Sequence, residues 1–174
     1  MGQYNIKVKV NLFRMLVVIV GFGLLAVYAT IAFSAQDALW FVGGFSDLPI
    51  RIIIYNDGQQ TELRAGEPGF DVLANAVRES LDQGVTRQTG IGMSEASLTD
   101  AYGKYLTVEA FFEKPVKIPA WFNTGHPNQM LFPLTGRHSD NSVVFLGRDG
   151  RYMTNAPALK NLEPLRQALQ LLGY

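Results

Sequence analysis

Residues 50–84, IRIIIYNDGQQTELRAGEPGFDVLANAVRESLDQG, contain an extended run, a turn, a second extended run and a helix in that order. Ile50 to Tyr55 is rich in β-branched residues and stops at Asn56-Asp57-Gly58. Asp-Gly between two extended runs marks a hairpin, because glycine supplies a positive φ at no steric cost. Gln60 to Arg64 is the more polar returning strand, closed by Ala65-Gly66-Glu67-Pro68, with Pro68 expected in the first turn of a helix. Phe70, Leu73, Ala74, Val77 and Leu81 then recur at helical spacing, Asp71, Arg78, Glu79 and Asp82 take the other face, and Gly84 ends the run. This is a helix laid across a sheet.

Downstream the extended pattern resumes. Gln88 to Gly103 is polar and glycine-bearing and reads as a loop or a short irregular element. In Lys104 to Phe112 (KYLTVEAFF) Leu106, Val108, Ala110 and Phe112 point one way, and Tyr105, Thr107, Glu109 and Phe111 the other. Glu113-Lys114-Pro115 interrupts the run, and residues 116–119 are expected to continue it as an edge, since proline cannot donate to an interior ladder. Gln129 to Leu134 and Ser142 to Leu146 are further apolar runs, the latter meeting Tyr152 across Arg148-Asp149-Gly150. Leu162, Leu165, Leu169 and Leu172 line one face of a closing helix with Pro164 in its first turn. The order ββα, three or four strands, then α predicts an α+β domain over residues 50–174, with a mainly antiparallel sheet and two helices packed on one face.

Upstream, residues 15–33 (MLVVIVGFGLLAVYATIAF) contain no Asp, Glu, Lys, Arg, His, Asn or Gln. At a rise of ~1.5 Å per residue this run covers roughly 28 Å, close to the hydrocarbon thickness of a bilayer. Lys7, Lys9 and Arg14 precede it, and the first acid is Asp37, so the basic flank should stay inside and the rest of the chain outside. A cytoplasmic tail over 1–14, a transmembrane helix over 15–35 and an interfacial linker over 36–49 follow. In that linker Trp40 and Phe41 are suited to anchor at the headgroups, ahead of the flexible pair Gly43-Gly44. Small residues at Thr30-Ile31-Ala32 and Ala32-Phe33-Ser34 also fit a signal-peptide cleavage site, but the apolar run is longer than the usual ~7–15-residue signal core, which favours a retained anchor.

Twelve of the fifteen basic and all fifteen acidic residues lie from Asp37 onward, a net charge of about −3, which gives no footprint for nucleic acid. The absence of cysteine excludes disulfides, thiolate catalysis and Cys-ligated metal centres. Arg137-His138-Ser139-Asp140 has the letters of a hydrolase triad, but consecutive residues cannot form the relay, and a turn capped by Asp140-Asn141 is the better reading. His126 lies in a loop. Two histidines twelve residues apart with a carboxylate such as Glu109 offer three metal ligands, but no i, i+2 or i, i+4 spacing supports the set, so neither metal nor cofactor is expected. Glu109 itself, among apolar and aromatic neighbours, reads as the solvated face of a half-buried strand.

The candidate interaction residues fall in three groups. Gly23, Ala26 and Thr30 allow close approach to another helix within the membrane. Trp40 and Phe41 mark the interface. Trp121, Phe122, His126, Met130 and Phe132 form the densest aromatic patch, which is either a docking surface or core beneath a long loop.

These features favour a single-pass, non-catalytic accessory subunit of a larger bacterial membrane complex, with an electron-transfer assembly, respiratory or photosynthetic, as the expected kind. Its partners are then the lipid bilayer and other subunits, and its head is periplasmic or otherwise extracytoplasmic. An extracytoplasmic small-ligand-binding or sensor module is the alternative. A membrane-anchored hydrolase using His138 or His126 with Glu109 or Asp140 is the third.

Overall fold

The β1–β2 hairpin forms as its turn chemistry dictates. In the computed structural model, which describes residues 11–42 and 44–174, β1 (Arg51–Asn56) pairs antiparallel with β2 (Gln59–Arg64), and Asn56 lies opposite Gln59. The two-residue loop holds Asp57 at φ 48° and Gly58 at φ 77°, both positive as a right-twisted hairpin requires. The tail residues Lys7 and Lys9, and Gly43, lie outside the described residues.

Helix α1 (Leu12–Ala35) begins one turn earlier than the apolar run, where Asn11 caps it by accepting from the backbone amides of Phe13 and Arg14. Its 24 residues reach about 36 Å, enough to cross a bilayer, and none of its side chains is buried against the rest of the chain.

Helix α2 (Phe70–Asp82) buries Phe70, Leu73, Ala74, Val77 and Leu81, the residues that its spacing singles out. Pro68 precedes this helix rather than opening it, and Gly69 occupies the N-terminal cap. After β3 (Val85–Gln88) comes α3 (Glu95–Gly103), then β4 (Thr107–Phe111), β5 (Gln129–Pro133), β6 (Phe145–Arg148), β7 (Arg151–Tyr152), β8 (Pro157–Leu159) and α4 (Glu163–Leu171). Six strands form one antiparallel sheet in the order β2-β1-β4-β5-β6-β7, and β3 pairs with β8 in a second, two-stranded sheet. Arg148 and Arg151 face each other across Asp149-Gly150, a turn built like the first.

α2 and α4 cover one face of the large sheet. Ile52, Ile54, Val108, Ala110, Met130 and Phe132 meet Leu73, Val77, Leu165 and Leu169 in a single core. Apolar burial at ~25 cal/mol per Å² makes this layer the main source of stability. The core begins before residue 50. Phe45 is buried, packs edge-on to Phe112 with centroids 5.8 Å apart, and its amide donates to Asp82 at 2.7 Å. The expected linker therefore ends about five residues short of Ile50. Residues 116–119 form no strand; Val116 and Ile118 are instead buried in the core, with the Val116 amide donating to Pro127 O.

The second face is covered as well. Leu98 and Tyr102 of α3, with Ile91 and Met93, pack on Leu131, Val143, Phe145 and Ala156. Within the stretch expected as a loop or a short irregular element, Glu95–Gly103 thus form a capped helix, with Ser94 accepting from the Ser97 amide, and it closes a second, smaller core.

Candidate functional site

Strand register sets the site. On the α3-covered face one cross-strand row runs Ile53, Glu109, Leu131, Phe145. The next row runs Arg51, Phe111, Gln129, Gly147, Tyr152. Glu109 stands in the middle of this surface and is 2% exposed. The expectation of a solvated strand face fails here because α3 and residues 89–94 roof the side that the alternation assigned to water.

Four donors converge on the buried carboxylate. Tyr55 donates to Oε2 at 2.9 Å from β1. Gln129 Nε2 donates to Oε1 at 2.6 Å from β5, and Tyr102 Oη at 3.1 Å from α3. Tyr152, on β7, also donates to Oε1 in a short contact. Gln129 is held in this orientation because its Oε1 accepts from the Gly150 amide at 3.1 Å, while its Nε2 also reaches Tyr152 Oη at 3.2 Å. The Tyr55 and Tyr102 rings stack with centroids 4.3 Å apart, so α3 is fastened by both ring packing and hydrogen bonds. The nearby cation is engaged elsewhere, with Arg51 over the Phe111 ring at 3.8 Å and within 3.7 Å of Glu62. Burial raises the Tyr102 hydroxyl to about 12, with the Glu109 charge adding to the rise. Burial, then the same charge, pushes Tyr55 and Tyr152 higher still.

Chemically, these phenols are hydrogen-bond donors at neutral pH and not bases. Both carboxylate oxygens are occupied, and the cluster ties strands β1, β4, β5 and β7 to α3. No hydrogen bond joins either histidine to Glu109 among the described residues. His138 is half-buried, edge-on to Phe145 at 5.4 Å, and its buried Nε2 has no partner among the described residues. Burial lowers its pKa below the ordinary histidine value. Asp140 sits in a 3₁₀ turn over Ser139–Asn141, and His126 is exposed on its loop at φ 47°. Among the described residues no three of His, Asp and Glu gather to hold a metal ion.

The expected interaction residues separate. Met130 and Phe132 are fully buried and Phe122 nearly so, which removes them from any docking surface: Met130 and Phe132 alternate onto the face of β5 that α2 and α4 cover, and Phe122 joins the same core from a loop. Trp121 stays half exposed and packs edge-on to Phe122, with centroids 5.2 Å apart. Gly23, Ala26 and Thr30 lie on the open surface of α1, where the Thr30 hydroxyl donates a hydrogen bond to Ala26 O at 2.8 Å. Trp40 and Phe41 pack edge-on at 5.7 Å just beyond the helix. The Glu109 cluster escaped sequence reasoning; the available signal was that Tyr55, Leu131 and Phe145, off the main core face, are themselves too apolar for water. Comparison with known proteins gives no match: no family model, no curated protein and no solved structure is similar to this chain.

Proposed function

We propose that this chain is a membrane-anchored, non-catalytic accessory subunit, inserted with its N-terminus in the cytoplasm and its α+β head on the extracytoplasmic side, where the head docks on partners of a larger membrane complex. The observation that carries the reading is α1: a 24-residue, largely apolar helix with no buried side chain, most of whose surface is left for lipid and for other helices. Lys7 and Lys9 ahead of it and Arg14 in its first turn support this orientation. The buried Glu109 network supports a scaffolding role, because its donors and acceptors are spent on holding the second layer to the sheet. The test is extraction of the tagged chain from its native membranes in mild detergent. Stoichiometric co-purification of larger subunits is expected, with the head open to protease only from the outside. Recovery as a lone monomer, or a protease-sensitive head on the cytoplasmic side, overturns the reading.

One observation favours a second reading, a small-ligand module. A cavity of about 170 Å³ opens between the 122–125 and 153–157 segments, with Gln88, Asn123, Thr124 and Asn155 on its wall. A ligand screen by thermal shift separates the two: a hit abolished by Asn155→Leu supports binding there, and no shift with any ligand removes it.

A further inference from the structure

The chain does not leave α1 in a straight line. Gln36 ends the helix at φ 54°, in the left-handed region, and residues 37–42 fold back along it. Tyr28 Oη donates to Ala38 O at 2.6 Å, and the Phe41 ring meets the Tyr28 ring edge-on at 6.4 Å. Tyr28 lies seven residues before Ala35, about 10 Å back along the helix axis, so Phe41 stands beside the spanning helix and not above it. The head is drawn to the same level. Lys117 Nζ forms an ion pair with Asp37 at 2.5 Å, and the 117–126 segment borders the end of α1.

Trp121, on that segment, lines one cleft of about 330 Å³ together with Trp40, Phe41 and Lys160. It is 49% exposed; Leu39, Phe41 and Val42 beside the helix exit are exposed to 57%, 60% and 59%. The chain has two tryptophans, and both stand here. The one carboxylate in the cleft, Asp82, accepts the Phe45 amide. Trp121 Nε1 donates to Thr86 O at 3.4 Å and Trp40 Nε1 is buried, so it is the rings and not their N–H edges that meet the surroundings. Aromatic rings at such a boundary favour the headgroup layer over either water or hydrocarbon, and a lysine beside them meets lipid phosphate. Continuity with the spanning helix is what names the lipid surface as the occupant of this patch.

We propose that the head itself docks on the bilayer, with Trp121 joining Trp40 and Phe41 in the headgroup layer and Lys160 facing lipid phosphate. This rests on α1 spanning the membrane. The membrane contact is then made at two places some eighty residues apart in sequence, and the tilt of the head over the bilayer is fixed by the protein, not left to a flexible linker.

The test uses the full chain in phosphatidylcholine–phosphatidylglycerol vesicles. Trp40→Phe leaves Trp121 as the single indole. Lipids brominated near the headgroup are expected to quench Trp121 at least about twofold more than aqueous iodide does, and Lys160→Glu to reduce that quenching. Should Trp40→Phe not fold, the difference between the parent and Trp121→Phe gives the Trp121 contribution instead. Quenching by iodide without quenching by lipid overturns docking, whether water or a protein partner covers Trp121 in the cell. A Phe22→Trp reporter, with both native tryptophans changed to Phe, reads α1 insertion by deeply brominated lipid. If the reporter is quenched and Trp121 is not, docking alone falls; if neither is quenched, the spanning reading falls with it.

Discussion

The Tyr55 hydroxyl on β1 donates to Glu109 Oε2 on β4 at 2.9 Å, along the diagonal between two paired strands. A carboxylate is an acceptor at both oxygens, and all four of its donors here are neutral groups aimed inward. Glu109→Gln replaces one acceptor oxygen with an NH₂ that faces other donors. The expected loss is about 1–3 kcal/mol, the cost of leaving buried polar groups unpaired. The urea midpoint of the full chain in detergent measures it. Tyr55→Phe should cost less in the Glu109→Gln background than in the parent, by a coupling of roughly 0.5–3 kcal/mol; equal costs in both backgrounds would show that the pair does not interact.

The same cluster makes an alkaline prediction. Tyr102 is raised from 10 to about 12, and Tyr55 and Tyr152 are raised further, so between pH 10 and 12 the unfolded chain releases phenolic protons that the folded chain keeps. Stability from these groups is therefore complete below pH 10 and falls as pH rises above it. Of seven tyrosines, three should titrate only as the head unfolds, seen as a late tyrosinate absorbance step coincident with loss of circular dichroism. The triple variant Tyr55→Phe, Tyr102→Phe, Tyr152→Phe should flatten the decline. Early titration of all seven in the folded chain contradicts the assignment.

Legibility in the sequence follows locality. Asp57-Gly58 and Asp149-Gly150 specify their turns within two residues, and the Phe70–Leu81 period specifies α2 within four turns. α3 is different: of EASLTDAYG only Ala101 is buried, so no stripe announces the helix, and its place depends on Leu98 and Tyr102 reaching strands elsewhere in the chain. β3 and β8 are short and pair across about seventy residues, beyond the reach of any local pattern. Alternation put Glu109 on the correct side of β4. What it could not convey was that this side has a roof of its own.

His138 makes the acid side sensitive. Its Nε2 is buried without a partner among the described residues, and burial holds its pKa below the ordinary 6.5. A depressed histidine contributes stability that is complete above pH 6.5 and is lost as pH falls through the folded value, because the unfolded chain takes up the proton first. The thermal midpoint should therefore drop on acidification below pH 6.5, and His138→Phe should reduce the slope without lowering the midpoint at neutral pH by more than His138→Ala does. An unchanged slope in both variants assigns the acid sensitivity to other groups.

Gly136 tests how tightly the α3 layer is closed. Its φ is 81°, a region that side chains with a Cβ rarely adopt, and a Cβ there would stand 2.5–2.6 Å from three atoms of the Tyr105 ring. Tyr105 lies two residues beyond α3, and the next residue, Leu106, fastens the chain to this turn through its amide, which donates to Thr135 Oγ1 at 2.8 Å, and its carbonyl, which accepts from the Leu134 and Thr135 amides. The ring cannot move aside without disturbing that junction. Gly136→Ala therefore combines backbone strain of about 1–3 kcal/mol with a displaced ring, and the loss should exceed that of Gly90→Ala. Gly90 also has positive φ, at 71°, but nothing lies within 4 Å of a Cβ built there. Comparing the two variants by urea denaturation separates strain from crowding: equal losses mean that Tyr105 yields freely, and a larger loss at Gly136 means that the ring is held in place.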